Sequence, residues 1–174
     1  MRHVGIAGKA GAGKDTIADY LVAHSGFVKL SMAGPLKAGL AAMGFPEPAN
    51  RDDKEKVIPG FDFTWRQAAQ ELGTGWGRGL DPLIWLKLVE RLIITSTQPV
   101  VISDIRFENE AALIRRLGGT MLFIQGRAAD LGDAAAHISE VGVLFYPTRD
   151  KLIDNRGALK DTTAQVRHAL ELQG

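Results

Sequence analysis

Short apolar runs alternate along the chain with stretches in which apolar residues recur every three or four positions, the pattern of strands separated by helices. The strand-like runs are residues 3–7, 27–30, 100–103, 120–124 and 151–153. Between the first two, Ile17, Ala18, Leu21 and Val22 form a helical stripe. Pro35 can open a second helix carrying Leu36, Leu40 and Met43. Asp81-Pro82 is a good cap and first-turn pair for a third. That helix carries Leu83, Ile84, Trp85, Leu86, Leu88, Val89, Leu92 and Ile93, apolar nearly all round, so it is predicted to be largely buried, in part against another subunit. Residues 107–117 form a further helix stopped by Gly118-Gly119, and the last runs from about Leu159 with Val166 and Leu170 on one face. Strands alternating with helices predict an α/β fold, a parallel sheet of about five strands with helices on both faces. Ligands of such sheets bind beyond the carboxyl ends of the strands.

The loop at the first of those ends carries the strongest chemistry. Residues 8–16 read Gly-Lys-Ala-Gly-Ala-Gly-Lys-Asp-Thr, a complete G-x-x-x-x-G-K directly after an apolar run and directly before a helical stripe. Glycines at 8, 11 and 13, with Ala12, let the backbone curl so that successive amides face phosphate oxygens. Lys14 adds a mobile charge for the β- and γ-phosphates, and the following helix adds its dipole. One position departs from the usual pattern: Asp15 stands where Ser or Thr normally holds Mg²⁺, and Thr16 follows. A structural glycine turn is the competing reading, but strand, loop and helix arrive in the order that nucleoside-triphosphate binding requires.

Composition narrows the class. The chain has 174 residues, 45% hydrophobic and 24% charged, which suits a single domain spanning 1–174 with a sizeable core. A net charge of +1 argues against nucleic acid as a partner. No cysteine is present, which excludes disulfides, thiolate zinc sites and a cysteine nucleophile. No apolar run approaches the ~18 residues of a membrane span, and the chain enters a strand without a signal-peptide pattern, so the expected compartment is the cytoplasm.

Other candidate groups should share the edge occupied by the loop. The strand at 100–103 runs into Asp104 and then Arg106. A carboxylate there can hold Mg²⁺ through water or orient an acceptor, and an arginine can clamp a phosphate. The alternative is that Asp104 caps the next helix while Arg106 pairs with Glu108 or Glu110. Within 64–80, Arg66, Gln67 and Gln70 fall near one helical face, and a loop with Thr74, Trp76 and Arg78 follows. Arginine, glutamine and an aromatic ring suit phosphate, base edge and base stacking; the plainer alternative is a surface helix with Trp65 and Trp76 as core anchors. Residues 126–140 are small and polar, and Arg127 at their start can stack on adenine or touch triphosphate. His137 and Glu140 in that stretch have no assigned role. Asn155 and the backbone around Gly157 can border adenine or form a plain turn. The run Arg51-Asp-Asp-Lys-Glu-Lys is expected to be a solvated, flexible face.

Taken in order, the phosphate loop with its Gly-Lys-Asp-Thr, Pro35-Leu-Lys37, Gln70-Glu-Leu-Gly-Thr74 with Arg78, Ser103-Asp-Ile-Arg-Phe-Glu-Asn-Glu110, His137-Ile-Ser-Glu140 and Ile153-Asp-Asn-Arg-Gly157 span nearly the whole chain. Together they resemble the deoxynucleoside monophosphate kinases of tailed bacteriophages. The resemblance implies a three-layer P-loop NTPase fold, with an acceptor-binding region at about 33–80 and a mobile lid at about 126–140. It implies transfer of the ATP γ-phosphate to a deoxynucleoside monophosphate with Mg²⁺, often by a homodimer, in the host cytoplasm if a phage encodes it. In that frame Lys14 and residues 11–16 hold the donor, with Asn155 and Gly157 near its base. Asp15, Thr16 and Asp104 are the metal candidates. Lys37, Arg66, Gln67, Gln70, Thr74, Trp76, Arg78, Asp104 and Arg106 are candidates for the acceptor, and Lys14, Asp104, Arg106 and Arg127 for catalysis. Two rivals stay open: a P-loop kinase of another small acceptor such as dephospho-coenzyme A, and a nucleotide switch, although no Asn-Lys-x-Asp guanine motif is present.

Overall fold

The computed structural model describes residues 3–50, 52–126 and 142–172. Five parallel strands form one sheet: β1 (Val4–Gly8), β2 (Val28–Leu30), β3 (Val100–Ile102), β4 (Thr120–Gly126) and β5 (Lys151–Asn155), in the spatial order β2-β3-β1-β4-β5. The register pairs Val4 with both Val101 and Thr120, and Gly126 with Asn155. All five expected strands are present, with ends shifted by one or two residues.

Burial follows the sheet order. Val4, Ile6 and Ala7 on the central strand are fully buried, as are all three residues of β3, which explains their unbroken apolar runs. β5 lies at the edge, so its pattern is mixed: Ile153 is buried while Lys151 and Leu152 are exposed.

Helix α1 (Lys14–Ser25) and helix α6 (Leu159–Ala169) cover one face of the sheet. Their Ile17, Ala18, Leu21 and Val166 share a core with Val4, Ile6, Leu122 and Ile124. Val22 belongs to the sequence stripe but is largely exposed. Helix α5 (Glu108–Arg116) covers the opposite face. A Cβ on Gly5 would lie 2.5 Å from the Met121 sulfur and 3.1 Å from Ile114, so α5 packs where β1 has no side chain. The result is the three-layer α/β architecture the alternation predicts.

The chain falls into two compact units, Met1–Ser31 with Thr95–Gly174, and Met32–Ile94. The first contains the sheet. The second holds α2 (Gly34–Ala42), a 3-10 turn at Asp52–Glu55, α3 (Trp65–Gln70), a π-helical segment at Glu71–Arg78, and nearly all of α4 (Ile84–Thr95). The stretch expected to bind the acceptor, 33–80, lies within it.

Three expectations are corrected in this second unit. The stretch around Thr74, Trp76 and Arg78 is not a loop but continues α3 as a π-helix. Its glycines act as a packing surface: a Cβ on Gly77 would sit 2.5 Å from the Trp85 ring and one on Gly73 2.7 Å from Leu36. The Trp85 indole N–H donates to the Gly73 carbonyl at 2.8 Å. Secondly, α4 is not largely buried. Val89 and Ile93, four residues apart, are buried, but Leu92 and Ile94 are exposed, because a single chain covers only one stripe of an all-round apolar helix. Thirdly, Met43 falls past the end of α2 and is exposed. The charged run before Val57 is solvated as expected, with Asp52, Glu55 and Lys56 exposed. It forms the 3-10 turn, with Lys54 paired to Glu47, Lys56 to Asp53 at 2.7 Å, and Glu55 to Arg66. Among the described residues no helix is long and apolar enough to cross a membrane.

Candidate active site

The phosphate loop joins β1 to α1 as its sequence requires. Gly11 and Gly13 adopt left-handed backbone, and Gly13 caps α1. Gly13 has a second constraint: a Cβ there would lie 2.3 Å from the Asn155 side-chain nitrogen. Asn155 ends β5 and donates to the Ala12 carbonyl at 2.8 Å, while its own oxygen accepts from the Thr162 hydroxyl at 2.8 Å. A residue expected near the adenine thus braces the phosphate loop from the sheet edge. Gly157, five residues before the buried Thr162, is exposed.

Lys14 opens α1, and its ammonium folds back over the loop, donating to the carbonyls of Gly8 and Lys9 at 2.8 Å each. Burial lowers its pKa; the Asp15 carboxylate opposes that shift, and the Arg106 guanidinium adds to it. Two cations therefore act on one another at the loop, an arrangement that an anion between them would relieve.

Asp15 does not stand as a bare carboxylate. It accepts from the Ser103 hydroxyl at 2.7 Å and pairs with Lys29 at 3.0 Å, which also binds Asp19 at 2.8 Å. The Ser103 hydrogen bond, then Lys29, hold its pKa below the usual aspartate range. Asp104, one residue on from Ser103, accepts from the Ser31 hydroxyl at 2.7 Å. Asp104 therefore does not cap α5. That role falls to Glu110, whose carboxylate accepts the amides of Arg106 at 2.7 Å and Phe107 at 3.1 Å, so Glu110 binds Arg106 through its backbone. Burial raises the Glu110 pKa, with those two amides opposing. Glu108 is also not a partner of the Arg106 side chain; it binds Arg115 at 2.8 Å. Thr16 is exposed in the first turn of α1.

Lys14, Asp15, Asp104 and Arg106 are thus gathered at the carboxyl edge of β1 and β3, as the topology demands. Ser31, Lys29 and Ser103 join them. Their sequence signal was weak but present: Ser31 follows β2 as Ser103 follows β3, each at the tip of a core strand.

The expected acceptor residues occupy the second unit. Lys37 pairs with Glu47 at 2.9 Å, and Arg66 with Glu55. The Gln67 side chain accepts from the Thr64 amide at 2.8 Å, and the Gln67 amide donates to the Thr64 hydroxyl oxygen at 3.1 Å, a capping box that starts α3. Gln70, Thr74, Trp76 and Arg78 are exposed. Of the two tryptophans read as core anchors, Trp65 is one, buried and donating to the Phe45 carbonyl at 3.1 Å, whereas Trp76 is 57% exposed. Arg127, His137, Glu140 and the expected lid lie outside the described residues.

Comparison with known proteins bears on this arrangement. The sequence profile of a family described as "Deoxynucleotide monophosphate kinase" matches residues 50–166. A protein of Acanthamoeba polyphaga mimivirus, provisionally named a deoxynucleotide monophosphate kinase, is 29% identical over 188 residues, covering 95% of this chain and 94% of its own. Among solved structures, a sugar kinase from Janibacter sp. HTCC2649 superimposes with a TM-score of 0.55 at 15% identity, covering 99% of this chain and 95% of its own. A gluconokinase from Sinorhizobium meliloti 1021 does so with a TM-score of 0.52 at 14% identity, covering 98% and 91%. At such identities the structural likeness speaks for the fold, that of the P-loop kinases.

Proposed function

The chain belongs to the deoxynucleotide monophosphate kinase family and is an ATP-dependent phosphotransferase of nucleotides, and on that premise we propose that it converts a deoxynucleoside monophosphate and ATP to the diphosphate and ADP. The observation that carries this reading is the phosphate loop between β1 and α1, with left-handed Gly11 and Gly13 and the Lys14 ammonium folded over it, and a second cation, Arg106, following β3 at the same sheet edge. Lys14 grips the donor phosphates, and Arg106 neutralises the incoming acceptor phosphate.

The acceptor is its own nucleophile. The second pKa of a phosphate monoester is ~6, so its oxygen is anionic at neutral pH and no protein base has to remove a proton. That oxygen attacks the γ-phosphorus in line; the new phosphorus–oxygen bond forms as the bond to the β,γ-bridging oxygen breaks, and ADP leaves with the electron pair. The protein's part is to position two phosphates and spread their charge. Lys14 and the amides of residues 11–16 hold the donor. Arg106 meets the acceptor phosphate, and Lys37, Arg66 and Arg78 are the remaining cationic candidates for it. Gln70, Thr74 and Trp76 are candidates for its nucleoside, and Arg127 for a residue that excludes water and neutralises charge during transfer.

Oxygen donors suited to Mg²⁺ are present at this edge. Asp15 is engaged by a cation, Lys29, which makes it the poorer metal ligand. Asp104 and the exposed Thr16 hydroxyl would hold the ion. When bound, Mg²⁺ neutralises charge on the β- and γ-phosphates.

A coupled ADP-release assay across all deoxy- and ribonucleoside monophosphates tests the reading. Release should depend on a deoxynucleoside monophosphate. Release dependent only on dephospho-coenzyme A, or slow hydrolysis indifferent to every monophosphate, would overturn it. A homodimer is the last part of the proposal, supported by the exposed Leu92 and Ile94 on α4; light scattering should give twice the 18.8 kDa chain mass.

A further inference from the structure

Arg106 lies in the short non-helical link between β3 and α5, where nothing in its own sequence keeps the peptide rigid. The structure holds that peptide from both sides. Its amide donates to Glu110 at 2.7 Å. Its carbonyl faces Gly142, where an added Cβ would lie 2.9 Å from the oxygen. Gly142 also has a φ of +75°, a conformation that L side chains rarely adopt.

Behind this contact the chain is clamped. The Leu144 amide donates to Glu108 at 2.8 Å, and the Leu144 carbonyl accepts from Arg115 at 2.7 Å. Arg115 in turn binds both oxygens of Asp150, at 3.0 and 2.7 Å, with side chains only 5% and 1% exposed. Asp150 also accepts the Tyr146 amide at 2.9 Å, and the Arg115 guanidinium stacks on the Tyr146 ring at 4.6 Å. A hydrogen-bonded triad of the buried Arg115 and Asp150 with the partly exposed Glu108 thus fixes residues 144–150 on α5, and with them the point where Gly142 meets Arg106.

We propose that Glu110 and Gly142 are positioning residues for Arg106, Glu110 gripping its amide and Gly142 admitting its carbonyl, so that the guanidinium is presented to the acceptor phosphate in one geometry. This rests on the reading of Arg106 as the acceptor-phosphate residue. Small displacements of such a group are costly, because the catalysis is positional.

The test is a set of linked variants. Glu110→Ala and Gly142→Ala should each lower kcat/KM for the monophosphate tenfold or more while leaving the KM for ATP within twofold. Glu110→Gln, which keeps an acceptor oxygen, should recover most of the loss. In an Arg106→Ala background neither substitution should cost more than a further twofold, because there is no guanidinium left to position. Losses that multiply with Arg106→Ala, or that fall equally on ATP, would overturn the proposal. If Gly142→Ala does not fold, the two Glu110 variants decide alone. Hydrogen exchange supplies a readout independent of turnover: the Arg106 and Phe107 amides should exchange at least tenfold faster in Glu110→Ala, and unchanged exchange would also overturn it. A parent enzyme that accepts no monophosphate while those amides respond as expected sinks the kinase reading instead, so the two failures are distinguishable.

Discussion

Lys14 and Arg106 are single residues on which the chemistry turns, and they fail in different ways. Lys14→Ala should abolish transfer with the melting temperature nearly unchanged, since its ammonium bonds only to loop carbonyls; near-normal turnover would remove the phosphate-loop assignment. Arg106→Ala should lower kcat/KM for the acceptor at least tenfold, about 1.4 kcal/mol of transition-state stabilisation, with ATP affinity little changed. Asp15 makes a different kind of contribution. Its pKa is depressed in the folded state by Ser103 and Lys29, so its stabilisation is fully present above the unfolded value of about 3.9 and is lost as pH falls through the lower folded value. Melting temperature plotted against pH should therefore show a shallower acid limb, below about pH 4, in Asp15→Asn. At this scale the sequence marked Lys14, Asp104 and Arg106 because their residue types and spacing are local. It did not mark Ser103 as the partner of Asp15, since a hydroxyl 88 positions away becomes a partner only once β1 and β3 are adjacent.

Between elements, the phosphate loop depends on a strand far along the chain. Asn155 reaches from β5 to the Ala12 carbonyl, and Gly13 is bare because that side chain passes over it. Asn155→Ala removes one hydrogen bond to the loop, about 1 kcal/mol, and should raise the KM for ATP roughly fivefold; an unchanged value would return Asn155 to the role of a plain turn residue. Periodicity read the elements of the sheet well because strand and helix signals differ in period. It failed where glycines serve packing: Gly73 and Gly77 look like loop residues in isolation, yet they let a π-helix seat against Leu36 and Trp85. It also missed the Glu108–Arg115–Asp150 triad, whose members are separated by up to 42 positions between Glu108 and Asp150 and meet only in the folded chain.

For the whole molecule, the two units divide the proposed labour: donor groups lie in the sheet-bearing unit, and most acceptor candidates lie in Met32–Ile94. Separate effects should follow. Arg78→Ala or Trp76→Ala alters an exposed side chain of the second unit, so each should raise the monophosphate KM several-fold without moving the KM for ATP or the melting temperature. The fold's own stability should respond to a different set of residues. Arg115→Ala leaves Asp150 as a charge with 1% of its side chain exposed and no ionic partner, which should cost about 3–5 kcal/mol in urea unfolding. Saturating ATP should nevertheless still stabilise that variant, because the phosphate loop is built from β1, α1 and β5 and not from the triad. A variant that lost both stability and the ATP-induced shift would mean that the loop and the α5 clamp form one cooperative unit, in which case effects on Arg106 and on donor binding would travel together.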